Sequence, residues 1–232
     1  MQISNETLVI LKNFASIEKK MEFNPGHTLR TRTGSVFVEA KVAEEFPDPK
    51  SVNRSEFGVY DISNLLNVLS LFDEPDIEFG ETSLIITSAN GTHEGRYGYA
   101  GQGSLGLLKF PKKMHPLPEE VIEFTLPEEQ LVKLQKAVSY MEKPEMKVTS
   151  DGKVVKIGTG NHKNENSNSF SMVFDAEPNK LKCNMWVAKE HLIMMKGSYK
   201  GWITPTYIML KNTSGYDLTY YVGVEPNSTF GK

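Results

Sequence analysis

The sequence predicts an α+β chain of two similar domains, each built from two β-α-β-β-β units with sheet on one face and a helix pair on the other. Three observations predict it. Amphipathic helical stretches begin near residues 5, 61, 127 and 188, a spacing of roughly 55–65 residues. Between them the pattern changes to period two, with turn residues at the breaks. Residues 109–118, KFPKKMHPLP, hold three prolines and three lysines without periodicity, which reads as a linker. The expected organisation is a first domain over 1–108, a connector over 109–118 and a second domain over 119–232.

The first helix is predicted from Asn5 to Ile17, with Leu8, Leu11 and Ala15 on one face and Ile10, Phe14 and Ile17 beside them. Strands follow at Thr28–Arg32 and Val36–Val42. The second helix opens at Asp61, a good N-cap, and carries Ile62, Leu65, Leu66, Leu69 and Phe72. After it come strands at Ile77–Phe79, Ser83–Thr87 and Arg96–Tyr99. The third helix starts at Pro127-Glu128-Glu129, a typical first turn, and its stripe is Leu131, Leu134, Val138 and Met141. Strands are expected at Glu145–Thr149, Lys153–Gly158, Phe170–Asp175 and Leu181–Trp186. A fourth helix is predicted from Ala188 to Lys196, stopped by Gly197, with strands after it at Tyr199–Ile203, Thr206–Leu210 and Asp217–Val224.

With 39% hydrophobic and 24% charged residues the composition is that of an ordinary globular protein. One cysteine, Cys183, leaves no intramolecular disulfide and fits a reducing cytoplasm. Neither a secretory signal nor a membrane-length apolar run is visible, so a cytoplasmic protein without membrane attachment is expected. The net charge of −3 is unevenly spread. Residues 1–110 carry 10 basic and 15 acidic side chains, and residues 111–232 carry 16 basic and 14 acidic ones.

The lysines fall opposite the apolar stripes. Lys12, Ser16, Lys19 and Lys20 share the outer face of the first predicted helix, Lys133, Lys136, Tyr140 and Lys143 that of the third, and Lys189, Lys196 and Lys200 that of the fourth. The second offers only Ser63, Asn64, Asn67 and Ser70. Lysines on solvent faces ordinarily do no more than keep helices soluble. Three helices sharing the bias in an acidic chain point instead to a polyanion. Few arginines and no aromatic partners stand in these rows, so weak, salt-sensitive and sequence-independent attraction to phosphates is the expected mode.

The chain resembles the sliding-clamp subunits of T-even-type bacteriophages, which are related in fold to proliferating cell nuclear antigen. The matching stretches are Leu11–Ile17, Val59-Tyr60-Asp61-Ile62 leading into Leu65–Leu71, and the rhythm of Leu131–Thr149. Gly197-Ser198-Tyr199-Lys200 and the tail from Tyr221 to Thr229 match as well. The resemblance covers essentially the whole chain, but the loops Phe46–Arg54 and Asn161–Asn168 fall outside it. It implies the DNA-clamp fold and a homotrimeric ring, with helices lining the hole and sheets forming the rim. It also implies double-stranded DNA as a sequence-independent partner, loading by an ATP-driven clamp loader, tethering of a DNA polymerase, and no catalysis or cofactor. In this family the clamp can also serve late transcription.

On that resemblance Lys12, Lys19, Lys20, Lys133, Lys136, Lys143, Lys189, Lys196 and Lys200 are expected to face phosphates. Phe110, Met114 and Leu117 of the connector, with Val224 and Pro226, are expected to hold partner peptides, against the simpler reading that a linker packs on its own domains. Arg96, Tyr97 and Tyr99 of one subunit are expected to meet Phe170, Met172 and Phe174 of the next, because ring closure removes open strand edges.

Enzyme signals are weak. Gly101-Gln-Gly103-Ser-Leu-Gly106 satisfies G-x-G-x-x-G, but Pro111 follows where a dinucleotide site needs a helix. The histidines, His27, His93, His115, His162 and His191, lack ligand spacing, and Asp73, Glu74, Asp76 and Glu78 lack that of a calcium loop. Two rival readings stand beside the clamp: a β-rich phage structural or assembly protein with no DNA role, and a hydrolase or nuclease.

Overall fold

Helix α1 (Asn5–Ile17) begins where Ser4 takes extended backbone and its hydroxyl accepts the Thr7 N–H. The computed structural model describes residues 1–107, 109–110, 116–141, 145–164, 166–176 and 180–231. They form two units, one of residues 1–34 with 38–110 and one of residues 35–37 with 111–232.

In the first unit α1 buries Ile10, Leu11 and Phe14 and packs against α2. Short strand β1 (Met21–Phe23) follows, then β2 (Gly26–Arg32) beside β3 (Val36–Phe46). The loop after β3 holds one 3-10 turn at Pro49–Val52, capped by the Asp48 carboxylate. Strand β4 (Phe57–Val59) pairs antiparallel with β1. Helix α2 (Ile62–Leu69) is capped by Asp61, which accepts from Asn64 N–H, and buries Ile62, Leu65, Leu66 and Leu69. An antiparallel sheet β5-β6-β7 (Asp76–Phe79, Ser83–Thr87, Glu94–Gly98) completes the unit. Four phenylalanines anchor its core, with Phe23 and Phe46 stacked at 5.3 Å and Phe57 and Phe79 edge-on at 4.9 Å.

The N-terminus of α1 is tied to β3 by a carboxylate. Glu44 accepts the Ser4 N–H at 2.5 Å and the Thr7 hydroxyl at 2.6 Å. Partial burial opposes its ionisation, yet these hydrogen bonds together hold its carboxyl below the usual range.

The second unit opens with β8 (Ile122–Leu126) and α3 (Glu128–Tyr140), whose Leu131 and Leu134 are fully buried and which packs over β10. Strands β9 (Glu145–Ser150), β10 (Val154–Gly160), β11 (Phe170–Asp175) and β12 (Lys182–Ala188) come next. After them run β13 (Tyr199–Ile203), β14 (Tyr207–Asn212), β15 (Asp217–Gly223) and the short β16 (Thr229–Gly231). One sheet has the order β11-β10-β9-β12-β16, and a second antiparallel run has the order β15-β14-β13-β8.

The fourth helix predicted over Ala188–Lys196 does not form. Only a 3-10 turn, Lys189–His191, stands there, and the chain then runs irregularly to Gly197. Its backbone groups find side chains instead of helical partners. Gln135 of α3 donates to Met194 O at 3.0 Å, the Tyr220 hydroxyl accepts from Met195 N–H at 3.1 Å, and the Tyr199 hydroxyl donates to Met195 O at 2.7 Å. With those groups satisfied, Leu192, Met194 and Met195 are buried without a helix. Burial pushes the Tyr199 phenol up to about 12, which keeps it a neutral donor. Gly197 is therefore no helix stop. It has φ +148°, and a Cβ would lie 2.6 Å from Asn212 Nδ2.

Gly197→Ala is expected to cost about 1–3 kcal/mol in urea unfolding, from backbone strain and this clash. Glu44→Gln is expected to cost about 0.5–1 kcal/mol at neutral pH, as the pair is partly solvated. A carboxyl whose folded pKa is lowered stabilises above its unfolded value and loses that contribution as pH falls through the folded one. The wild-type advantage over Glu44→Gln should thus shrink below about pH 4 and vanish on full protonation.

Candidate nucleic-acid interface

Burying one stripe of each helix leaves the opposite stripe to water, and the side chains there decide what can approach. On α1 this is Lys12, with Ser16 one turn on, both exposed. On α2 the outer residues Ser63, Asn64, Asn67 and Ser70 are all exposed, polar and uncharged. On α3, Lys133, Lys136, Ser139 and Tyr140 are exposed, Tyr140 to 82%.

The lysine rows are shorter than the sequence predicts. Helix α1 ends at Ile17 with Glu18 as its cap, so Lys19 and Lys20 lie beyond it. Lys19 is exposed, whereas Lys20 is half-buried and its ammonium donates to Leu105 O at 2.9 Å. Lys143 lies outside the described residues. Lys189 sits in the 3-10 turn and Lys196 in the irregular segment, both exposed. Lys200 belongs to β13, where it pairs with Glu123 of β8 at 2.8 Å and lies 5.1 Å from the Trp202 ring centroid. Its hydrogen bond holds the Glu123 carboxyl below the usual range. The third-helix row also has a compensating acid, because Glu129 meets Lys133 one turn away at 2.5 Å. The exposed lysines borne on helices are therefore Lys12 on α1 of the first unit and Lys133 and Lys136 on α3 of the second, with Lys19 just past the end of α1.

The other expected site residues are distributed as follows. Phe110 is half-buried in the first unit. Leu117, 37% exposed, and the exposed Pro226 belong to the second unit, with Val224 half-buried; Met114 lies outside the described residues. The turn carrying Val224 and Pro226 is pinned to β12, since Glu225 N–H donates to Trp186 O at 2.8 Å and the Ser228 hydroxyl accepts Trp186 N–H at 2.9 Å.

Strands β7 and β11 are each the terminal strand of their sheet. On β7 Arg96 is exposed and lies 3.6 Å from Glu94, while Tyr97 is half-buried and donates to Asp61 O at 2.9 Å. Tyr99 falls just past β7, beneath the Arg54 guanidinium at 4.5 Å, and burial raises its phenol pKa. On β11 Phe170 and Met172 are half-buried and Phe174 is buried. The exposed apolar side chain of that strand is Val173, at 61%, which strict period-two alternation against Met172 and Phe174 reveals.

The signals read as structural have structural partners. Leu105, within the glycine-rich loop, is buried against Gly58, and Asp76 pairs with the N-terminal ammonium at 2.8 Å. Cys183 is buried, which pushes its thiol up to about 11. Among the described residues no cluster of three or more His, Cys, Asp or Glu side chains is arranged to hold a metal ion, and no helix is long and apolar enough to cross a membrane.

No family model matches the chain. Across 97% of its length it is 24% identical to the sliding clamp of Vibrio phage KVP40, covering 99% of that protein. Across 99% it is 26% identical to the sliding clamp of Escherichia phage RB69, again covering 99%. Among solved structures it is similar to proliferating cellular nuclear antigen from Entamoeba histolytica, with a TM-score of 0.63 at 13% identity over 94% of both chains. It is also similar to the DNA polymerase sliding clamp from Pseudomonas aeruginosa, with a TM-score of 0.68 at 14% identity over 97% of this chain and 66% of that one. The fold is that of the DNA clamps, and the resemblance to phage sliding clamps read from the sequence holds over the full length.

Proposed function

We propose that this chain is a non-catalytic sliding clamp, which closes as a homotrimeric ring around duplex DNA and tethers a replicative polymerase in the cytoplasm of an infected host. The observation that carries the reading is the end-to-end similarity to two phage sliding clamps together with the clamp fold. In the ring, α1 and α3 turn Lys12, Lys133 and Lys136 to the DNA, with Lys19, Lys189 and Lys196 adding positive charge near it. Ammonium groups on flexible stems attract phosphates without fixing a register, which suits movement along the duplex. Domains 1–108 and 119–232 are joined by the connector 109–118, whose Phe110 and Leu117, with Val224 and Pro226, offer a partner peptide apolar contacts. The open edges of β7 and β11 join neighbouring subunits. An ATP-driven loader opens the ring.

Two measurements test this. The purified chain should sediment as a trimer and stay on circular DNA only when a clamp loader and ATP are supplied. A monomer at micromolar concentration with no loader-dependent retention would sink the reading and favour a structural protein. In direct DNA binding, Lys12→Ala, Lys133→Ala and Lys136→Ala should each reduce the slope of log affinity against log salt by up to about 0.9, with Lys133 least because Glu129 already engages it. Lys200→Ala should leave the slope nearly unchanged, since Glu123 neutralises it. Equal slopes for all four variants would remove the helical face from the DNA contact.

A further inference from the structure

The face of the five-stranded sheet opposite α3 holds a cavity of about 640 Å³, within the range of small-ligand and peptide pockets. Strand register builds its floor. Lys147 of β9 stands between Gly158 of β10 and Trp186 of β12, and Thr149 stands between Lys156 and Asn184. The floor is hollow because glycine occupies 158 and 160. A Cβ at 160 would touch the Trp186 ring at 3.3 Å, and one at 158 would strike Phe170 O of β11. One wall is His162, held by Glu145 at 2.6 Å and set edge-on to Trp186 at 5.9 Å.

Three features define what fits. Glu145 is engaged by His162, and neither Lys147 nor Lys156 has a carboxylate within ion-pair distance among the described residues. The carbonyl oxygen of the Asn184 side chain is buried without a hydrogen-bond partner, and so calls for an N–H donor. The Trp186 ring is 7% exposed and already carries the Lys147 ammonium 4.9 Å from its centroid, so no nucleobase can stack on it. We propose that this cavity is a docking site for a short acidic peptide segment of a partner protein. Carboxylates meet Lys147 and Lys156, and a backbone N–H meets Asn184 Oδ1. Inorganic phosphate satisfies only the lysines. Such a site goes beyond the clamp reading, and the cavity is lined by Asn227, next to Pro226, and by Phe170 of the β11 edge proposed to meet a neighbouring subunit.

The chain has two tryptophans, so Trp202→Phe leaves Trp186 as the sole indole reporter. Its indole N–H resonance is followed while the full chain is titrated with an acidic octapeptide of Asp, Glu and Leu. The Asn/Gln counterpart, inorganic phosphate and oligothymidylate are titrated in parallel. The acidic peptide should give a saturable shift, with binding at least ten-fold weaker for the neutral peptide and for Lys156→Gln. Lys156 is exposed, so that variant keeps the fold. Asn184→Leu, which keeps the branched shape without the amide, should weaken the peptide several-fold and leave phosphate unaffected. The proposal is overturned if the acidic peptide gives no saturable shift, if the neutral peptide binds as tightly, if Lys156→Gln has no effect, or if oligothymidylate binds more tightly than the peptide.

Discussion

Each sheet of this chain has a face that must be hidden from water, and covering it is the constraint on which the remaining features depend. Helices α1 and α2 provide the cover in the first unit through Ile10, Leu11, Phe14, Ile62, Leu65, Leu66 and Leu69. In the second unit α3 does so with Leu131 and Leu134, and the place of a second helix is taken by Leu192, Met194 and Met195 in an irregular segment. Such a segment can be buried only if its amide groups are satisfied, and Gln135, Tyr199 and Tyr220 satisfy them. Cover and charge are thus set together, because a residue turned away from the sheet is free to be lysine.

The net charge of −3 therefore says little about what the helices present. Lys12 and Lys136 stand on helix faces, whereas Lys133 is engaged by Glu129, Lys200 is held on a strand by Glu123 and Lys20 is drawn to Leu105 O. A lysine with a fixed partner contributes less to a distant polyanion than one in open solvent, since binding must first break the existing contact. The distribution of partners, more than the count of cations, sets the strength of any electrostatic face.

What could be read in the sequence follows the range of the interactions involved. The three helices were legible because caps and stripes are local; Asp61 and Leu65 lie within one turn of each other. The false fourth helix arose because Ala188–Lys196 carries an acceptable helical pattern, while the groups that defeat it, Gln135 and Tyr220, lie 59 and 25 residues away. Strands β1 and β4 are three residues each, too short for alternation to show, and their pairing spans the whole of β2 and β3. Glu129 beside Lys133 was open to reading at i, i+4, but Glu123 beside Lys200 required strand register. The cavity over β9, β10 and β12 has the same character, being created by residues brought side by side from three strands.

The burial of Cys183 has a practical consequence. It is the chain's single sulfhydryl, and desolvation keeps it protonated at neutral pH, which withholds the thiolate that maleimides and iodoacetamides attack. A cysteine placed at an exposed position such as Val173 or Lys12 can then take a fluorophore or spin label against a silent background, with no need to remove the native residue.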